Sequence, residues 1–133
     1  MPATPAVSKA KASPGKFKKI SEPMAQWSAL LGTELLTWPQ VAARRMFGCT
    51  AYYRNGSIFA ILPLTREFFA PNQVGFKFPR SKPYPAKLKA KIQRDSRARV
   101  GETFQHWIMF ALQSDRDFRD FLEYCAHAHQ DAK

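Results

Sequence analysis

Apolar and polar residues alternate on both sides of Asn55-Gly56, with the period of two that is typical of β-strands. Asn-Gly suits the two positive-φ positions of a type I′ turn, so residues 44–62 predict a hairpin with a two-residue loop. That loop pairs Tyr53 with Ile58, Tyr52 with Phe59 and Cys49 with Leu62. One face, the expected core, then collects Cys49, Ala51, Tyr53, Ile58, Ala60 and Leu62. The other face is more mixed and carries Thr50, Tyr52, Arg54, Ser57, Phe59 and Ile61.

Two other stretches have helical periodicity. Ser21, with Pro23 close behind it, predicts a helix start, and the helix should end near Leu36 because Trp38-Pro39 disfavours helix. Ser114 and Asp117 approximate a capping box at the start of a second helix that runs to the C-terminus. The apolar stripes of these helices are Met24, Trp27, Leu30, Leu31 and Leu35 in the first and Phe118, Phe121, Leu122, Cys125, Ala126 and His129 in the second.

The remaining patterns complete an α+β fold. Residues 41–47, 73–78 and 102–112 read as strands, and the last is apolar on both faces, which favours a central position in the sheet. Residues 86–97 favour a short, polar helix whose apolar seam is Leu88 and Ile92. We therefore expect an antiparallel meander of about five strands, packed by the N-terminal and C-terminal helices, plus this basic helix.

Length and cysteine usage define the class of protein. A chain of 133 residues predicts one domain, residues 21–133, behind a disordered basic tail at residues 1–20 that is rich in Ala, Pro, Ser and Lys. Cys49 and Cys125 have no Cys-x-x-Cys spacing, and no secretory signal precedes them, which favours a reduced, cytoplasmic protein. No apolar run approaches the length of a membrane span, so we expect no membrane association.

The net charge of +11 is unevenly distributed. Residues 1–20 carry five lysines and no acid. The remainder of the chain apart from residues 77–99, that is residues 21–76 and 100–133, is slightly acidic. Residues 77–99 hold nine basic residues against Asp95 alone, a distribution typical of a polyanion footprint, although a solvated charged surface explains it equally well. The candidate DNA- or RNA-binding residues are Lys77, Arg80, Lys82, Lys87, Lys89, Lys91, Arg94, Arg97 and Arg99.

The hairpin also carries a family likeness. Arg45-Met46-Phe47-Gly48, followed by Tyr53, Asn55-Gly56 and Phe59-Ala60, resembles the signature of the TfoX N-terminal domain family. The likeness extends over roughly residues 22–130, with Val74-Gly75-Phe76-Lys77 similar to the next strand of the family. It implies a sheet-and-helix fold and a non-enzymatic regulatory or accessory role through protein contacts, in a stand-alone N-terminal-type domain without the C-terminal TfoX domain. Of the two neighbouring arginines we expect at most one in the core, paired with a carboxylate or carbonyl group; an anion site is the alternative role, for which the resemblance favours Arg45 over Arg44.

Catalytic motifs are absent from the sequence. It contains no phosphate-binding glycine loop, no His-Glu-x-x-His and no Gly-x-Ser-x-Gly. Cys125 and His129 share a helix face, and His106 is a possible third ligand, but two ligands do not make a metal site, so we expect no metal and no cofactor.

Three functions therefore stay open from the sequence. They are an accessory domain with a protein partner of unknown identity, a protein that binds nucleic acid by its phosphates, and, least favoured, an enzyme acting on a small substrate. In the second, Tyr84 and Phe78 are candidates for stacking on unpaired bases.

Overall fold

Three helices and six antiparallel strands make up the part of the chain that the computed structural model describes, residues 18–68, 70–79, 85–100 and 107–132. In chain order they are α1 (Glu22–Leu35), β1 (Val41–Met46), β2 (Cys49–Arg54), β3 (Ser57–Pro63), β4 (Gln73–Lys77), α2 (Ala86–Arg94), β5 (Ala98–Val100), β6 (Trp107–Ala111) and α3 (Asp115–Asp131). The predicted α+β class with flanking helices and a short basic helix is confirmed.

The strands form one sheet in the order β1-β2-β3-β4-β6-β5. Strand β6 lies between β4 and β5, so it is an interior strand, but it is next to the β5 edge rather than central as its apolar residues predicted. Strand β5 was missed because three residues within a basic segment give no periodic signal. Helix α2 ends at Arg94, three residues before the predicted end, since Asp95 is extended and its carboxylate accepts the Arg97 backbone N–H.

Side-chain caps define the starts of the two long helices, as predicted. The Ser21 hydroxyl accepts the backbone N–H of Met24 at 3.3 Å, and the Ser114 hydroxyl accepts that of Asp117 at 3.2 Å. Asp115 and Asp117 also place negative charge in the first turn of α3, where the helix dipole favours it. Local capping thus fixes both helix starts.

The hairpin register follows the prediction only near its turn. Asn55 and Gly56 have φ values of 51° and 84°, as a type I′ turn requires, and Tyr53 pairs with Ile58. A bulge then pairs Tyr52 with Ala60 rather than Phe59 and Cys49 with Pro63 rather than Leu62. The predicted pairs beyond Tyr53 are therefore wrong, because one extra residue in β3 shifts the register.

The bulge also corrects the predicted faces of the hairpin. Tyr52 and Phe59, assigned to the mixed face, belong to the main hydrophobic core, and the Phe59 side chain is fully buried. Cys49 and Ala51 are buried outside that core cluster. Strict alternation cannot reveal this, because a bulge lets two successive side chains, here Phe59 and Ala60, face the same side.

All three helices cover one face of the sheet. The core cluster joins residues of each helix to the sheet residues Tyr52, Ala60, Leu62, Val74, Phe76, Ile108 and Phe110. Phe76 stacks on Tyr124 of α3 with ring centroids 5.2 Å apart. Ala51, Ile61, Gly75 and Met109 alternate with these residues and lie on the second face. No helix of the described residues covers this face, and we call it the helix-free face. The sheet therefore presents two different surfaces.

Close packing between α1 and β2 gives a test of the fold. A Cβ atom at Gly32 would overlap the hydroxyl of Tyr52, which is 5 % exposed. We expect Gly32→Ala to lower the free energy of unfolding by about 1–2 kcal/mol, although alanine favours helix, because the overlap outweighs the gain in propensity. Urea unfolding measures this change.

The same experiment has an internal control. Tyr52→Phe removes only the overlapping hydroxyl, and the next atom, Cζ, would lie 3.5 Å from the new Cβ, an ordinary contact. The double variant should therefore be more stable than Gly32→Ala alone. A Gly32→Ala protein at least as stable as the wild type would contradict the packing described here.

Candidate polyanion-binding surface

Helix α2 presents a basic face on its exposed side. Leu88 and Ile92, four residues apart, are buried and anchor the helix to the core. Lys87, Lys91 and Arg94 follow the i, i+4, i+7 spacing, so they lie together on another side, and all three are exposed. We call these three residues the α2 basic face. Lys91 and Arg94 also lie in the last turn, where positive charge stabilises the helix dipole.

An open concavity of about 560 Å³ lies between the α2 basic face and the start of α3. Arg116 of α3 adds a fourth exposed cation to its lining, and Lys91 Nζ lies 5.5 Å from the centroid of the Tyr124 ring. The residues that line the concavity are Lys87, Lys91, Arg94, Asp95, Ser96, Arg97, Arg116, Asp117 and Tyr124. Cations thus outnumber carboxylates at its surface, which suits an anionic ligand.

Arg97 forms an ion network at the base of the concavity. Its Nε and Nη2 atoms donate to the two carboxylate oxygens of Asp95, each at 2.8 Å. Its Nη1 atom donates to Asp117 at 2.8 Å and to Asp120 at 2.9 Å. The guanidinium also lies 4.8 Å from the centroid of the Phe110 ring. The charge of Arg97 is therefore already paired with carboxylates inside the protein.

The network shifts the pKa values of its members. Hydrogen bonds from Arg97 lower the pKa of Asp95 to about 2, more than burial raises it. Burial acts against ionisation of Asp117 too, yet hydrogen bonds from Arg97 and the Gln113 backbone N–H lower its pKa. Burial, and then the hydrogen bond that its hydroxyl donates to Asp95, raise the pKa of Tyr124. Both carboxylates are thus ionised at neutral pH and already bound to a cation.

Three other predicted residues, Lys77, Lys89 and Arg99, do not form one continuous surface with the α2 basic face. Lys89 is exposed on a different side of α2. Lys77 is half-buried over the Trp107 ring, 5.6 Å from its centroid, and Arg99 is exposed opposite Met109. Lys77 and Arg99 both lie on the helix-free face of the sheet, whereas Arg80 and Lys82 lie outside the described residues.

Arg45 is more exposed, and Phe78 more buried, than their predicted roles require. Arg44 and Arg45 are both exposed on β1, so neither enters the core, and among the described residues neither forms an ion pair. Structural pairing of Arg45 with a carboxylate is thus not seen there. Phe78 is 4 % exposed, so its ring cannot stack on a base, and Tyr84 lies outside the described residues.

Sequence reasoning missed Arg116 as part of the surface. It is exposed at the start of α3, and its Nε atom lies 3.7 Å from Asp120. Two arginines among three aspartates at residues 115–120 give no local signal, because the position of Arg116 beside α2 depends on how the helices pack. Arg116 therefore had no sequence signature.

The cysteines and histidines do not assemble a reactive centre in the described part of the chain. Burial raises the pKa of the Cys49 thiol and of the fully buried Cys125 thiol, which disfavours the reactive thiolate. His129 is buried, with Nε2 donating to the Pro39 carbonyl at 2.8 Å, and His127 is exposed. Across the described residues, no three His, Cys, Asp or Glu side chains are grouped as metal ligands.

Comparisons with known proteins add no relative. No protein-family model, no curated protein and no solved structure matches this chain. The likeness to the TfoX N-terminal domain thus rests on the quoted residues and stays a prediction. None of the helices in the described ranges has the length and apolar character needed to cross a membrane.

Proposed function

We propose that this protein is a non-enzymatic accessory protein that binds nucleic acid through phosphate groups at the α2 basic face. The observation that carries the proposal is the placement of Lys87, Lys91 and Arg94 on one exposed helix side, next to an open concavity. In the described structure, none of these three residues is in an ion pair. Their charges are therefore available to an external anion.

The dimensions of the face favour a polymer over a single small anion. Lys87 and Arg94 are seven residues apart, which is about 10 Å along a helix. That length matches the axial rise of about three nucleotides of one strand. The neighbouring Asp95 and Asp117 are already bound to Arg97, so they repel an incoming phosphate less than free carboxylates would. Phosphate contacts of this kind give affinity with little sequence specificity.

The proposal places the protein in the cytoplasm, where its cysteines remain reduced. Cys49 and Cys125 are free and buried, as expected for thiols that do not form structural disulfides. A regulatory role through protein contacts, which the TfoX resemblance implies, is the competing function. It becomes the preferred one if nucleic acid does not bind.

Nucleic-acid binding by an α2 variant tests the proposal. The variant Lys87→Ala, Lys91→Ala, Arg94→Ala should bind single-stranded DNA or RNA of about 16 nucleotides roughly tenfold more weakly than the wild type in about 50 mM salt. The reason is the loss of up to three phosphate contacts. Fluorescence anisotropy with labelled oligonucleotides and their duplexes measures the dissociation constants.

A matched control separates binding at a local site from the general attraction of nucleic acid to a positively charged protein. Arg119→Ala, Gln26→Glu and Ala29→Glu change exposed positions of α3 and α1 and lower the net charge by the same three charges. This control should stay within about twofold of the wild type. Equal weakening of both variants, or no binding by the wild type, would refute the proposal. A variant with Lys9, Lys11 and Lys16 changed to Ala shows whether the tail lysines alone account for binding, which would also refute it.

A further inference from the structure

The turn between β1 and β2 exposes an aromatic ring in a disfavoured conformation. Phe47 is 89 % exposed and has φ of 48°, and with Gly48 it forms the two-residue loop that closes the Met46–Cys49 pair. Left-handed backbone is disfavoured for a bulky residue, and the other two-residue turn of the sheet uses Asn55 there. Phe47 therefore gains neither from burial nor from backbone preference within this chain.

The fold nevertheless holds this turn firmly in place. The Gly48 carbonyl accepts backbone N–H groups from Leu64 and Thr65, both at 2.9 Å, and from Arg66 at 3.4 Å. Gly48 has φ of 81°, and a Cβ atom there would lie 3.0 Å from the Arg66 side chain. Residues 46–49, which we call the Phe47 turn, are thus fixed against residues 64–66. The ring of Phe47 projects from a rigid support, which reduces the entropic cost of a contact.

Exposed cations surround the Phe47 turn. Arg44 and Arg45 precede it on β1, Arg66 lies against Gly48, and Lys19 forms a β-bridge with Arg66. Lys18 lies next to this pair, because its carbonyl accepts the Glu67 backbone N–H at 2.8 Å. All five cations are exposed, and within the described ranges none is in an ion pair. Glu67, half-buried, is the acid of this segment.

We propose that the Phe47 turn stacks on an unpaired base of single-stranded nucleic acid, with the surrounding cations holding the adjacent phosphates. An exposed aromatic ring beside unpaired cations is the combination that single-strand-binding surfaces use. A duplex offers no free base face to such a ring, so the contact selects single strands or loops. The inference rests on the proposed function and adds a substrate class to it.

The turn is far enough from the α2 basic face to be tested separately. Strand β1 forms one edge of the six-stranded sheet, and β5, which contacts α2, forms the other. Five inter-strand spacings separate these edges, about 24 Å in all. Substitutions at one surface therefore leave the contacts of the other unchanged.

Phe47→Asn is the decisive variant, because asparagine suits the left-handed turn and lacks the ring. It should fold at least as stably as the wild type and bind single-stranded DNA of about 16 nucleotides roughly fivefold more weakly or worse, with duplex binding unchanged. Phe47→Trp should retain single-strand binding. An oligonucleotide containing 2-aminopurine should show fluorescence quenching with the wild type and Phe47→Trp, and less with Phe47→Asn.

The outcomes distinguish this inference from the proposed function. If the α2 variant weakens binding but Phe47→Asn binds single strands as the wild type does, only the stacking contact is refuted. Equal losses on single strands and duplexes with Phe47→Asn also overturn it, because stacking requires an unpaired base. If Phe47→Asn converts a dimer to a monomer in sedimentation and leaves binding unchanged, the ring contacts a second copy instead. Absence of any nucleic-acid binding by the wild type refutes both proposals.

Discussion

Replacing Arg97 with methionine should lower the free energy of unfolding by about 3 kcal/mol at neutral pH. The change leaves the carboxylates of Asp95, Asp117 and Asp120 without the cation that binds all three. The side chains of Asp95 and Asp117 are only 9 % and 12 % exposed, so solvent cannot fully replace the lost hydrogen bonds. The contact of the guanidinium with the Phe110 ring is lost as well.

Urea unfolding followed by far-ultraviolet circular dichroism measures this loss. Arg119→Met is the control. Arg119 is exposed in α3 between Asp117 and Asp120, and it makes no ion pair among the described residues. The control should change stability by less than about 0.5 kcal/mol. A loss below about 1 kcal/mol for Arg97→Met would mean that the network does not hold β5 and α3 together as described.

Acid should remove the same contribution to stability. Asp95 has a folded pKa of about 2, against about 3.9 in an unfolded chain. A lowered folded pKa contributes stability that is fully present above the unfolded pKa and is lost as the pH falls towards the folded pKa. Asp95 therefore contributes about 2 kcal/mol at neutral pH, which disappears between about pH 5 and pH 2. The pKa of Asp117 is lowered in the same direction.

Unfolding of the wild type and of Arg97→Met across this pH range checks the sign. The stability difference between the two proteins should shrink as the pH falls, because protonated carboxyl groups no longer need the guanidinium. Arg119→Met again serves as the control and should run parallel to the wild type. A difference between wild type and Arg97→Met that stays constant from about pH 6 to pH 3 would exclude the lowered carboxyl pKa values.

Apart from β5, local sequence features predicted the helices and strands of this fold, because each of those elements is decided by nearby residues. The hydroxyls of Ser21 and Ser114 accept hydrogen bonds from backbone N–H groups three residues away. Asn55 and Gly56 adopt the positive φ values that their turn requires. The apolar residues of β6 likewise predicted an interior strand, although it lies next to the β5 edge rather than centrally. Periodicity and capping were sufficient at these positions.

Features that depend on packing were not predictable in this way. The bulge at Phe59 lets a large ring enter the core below the helices, and alternation alone assigns Phe59 to the wrong face. Asp95 and Arg97 read as part of a charge run, yet they form a network with α3 through Asp117 and Asp120. Such contacts join residues that are about twenty positions apart, so local sequence cannot reveal them.

The candidate surface was predictable in part. The spacing of Lys87, Lys91 and Arg94 on a helix was sufficient to place them on one side, and all three are exposed. The separation of Lys77 and Arg99 onto the helix-free face required the strand register. The neighbouring Gly48 was the one sequence feature that indicated a turn at Phe47 and hence its exposure. A phenylalanine without such a neighbour is assigned to the core by its hydrophobicity.

The salt dependence of nucleic-acid binding tests the central claim most directly. We would measure the dissociation constant for single-stranded DNA from about 50 to 200 mM salt, for the wild type and for Lys87→Ala, Lys91→Ala, Arg94→Ala. Because each phosphate contact contributes about 0.7 to the slope of log affinity against log salt on single strands, the variant slope should be shallower by about 2. Equal slopes for the two proteins would contradict phosphate binding at the α2 basic face.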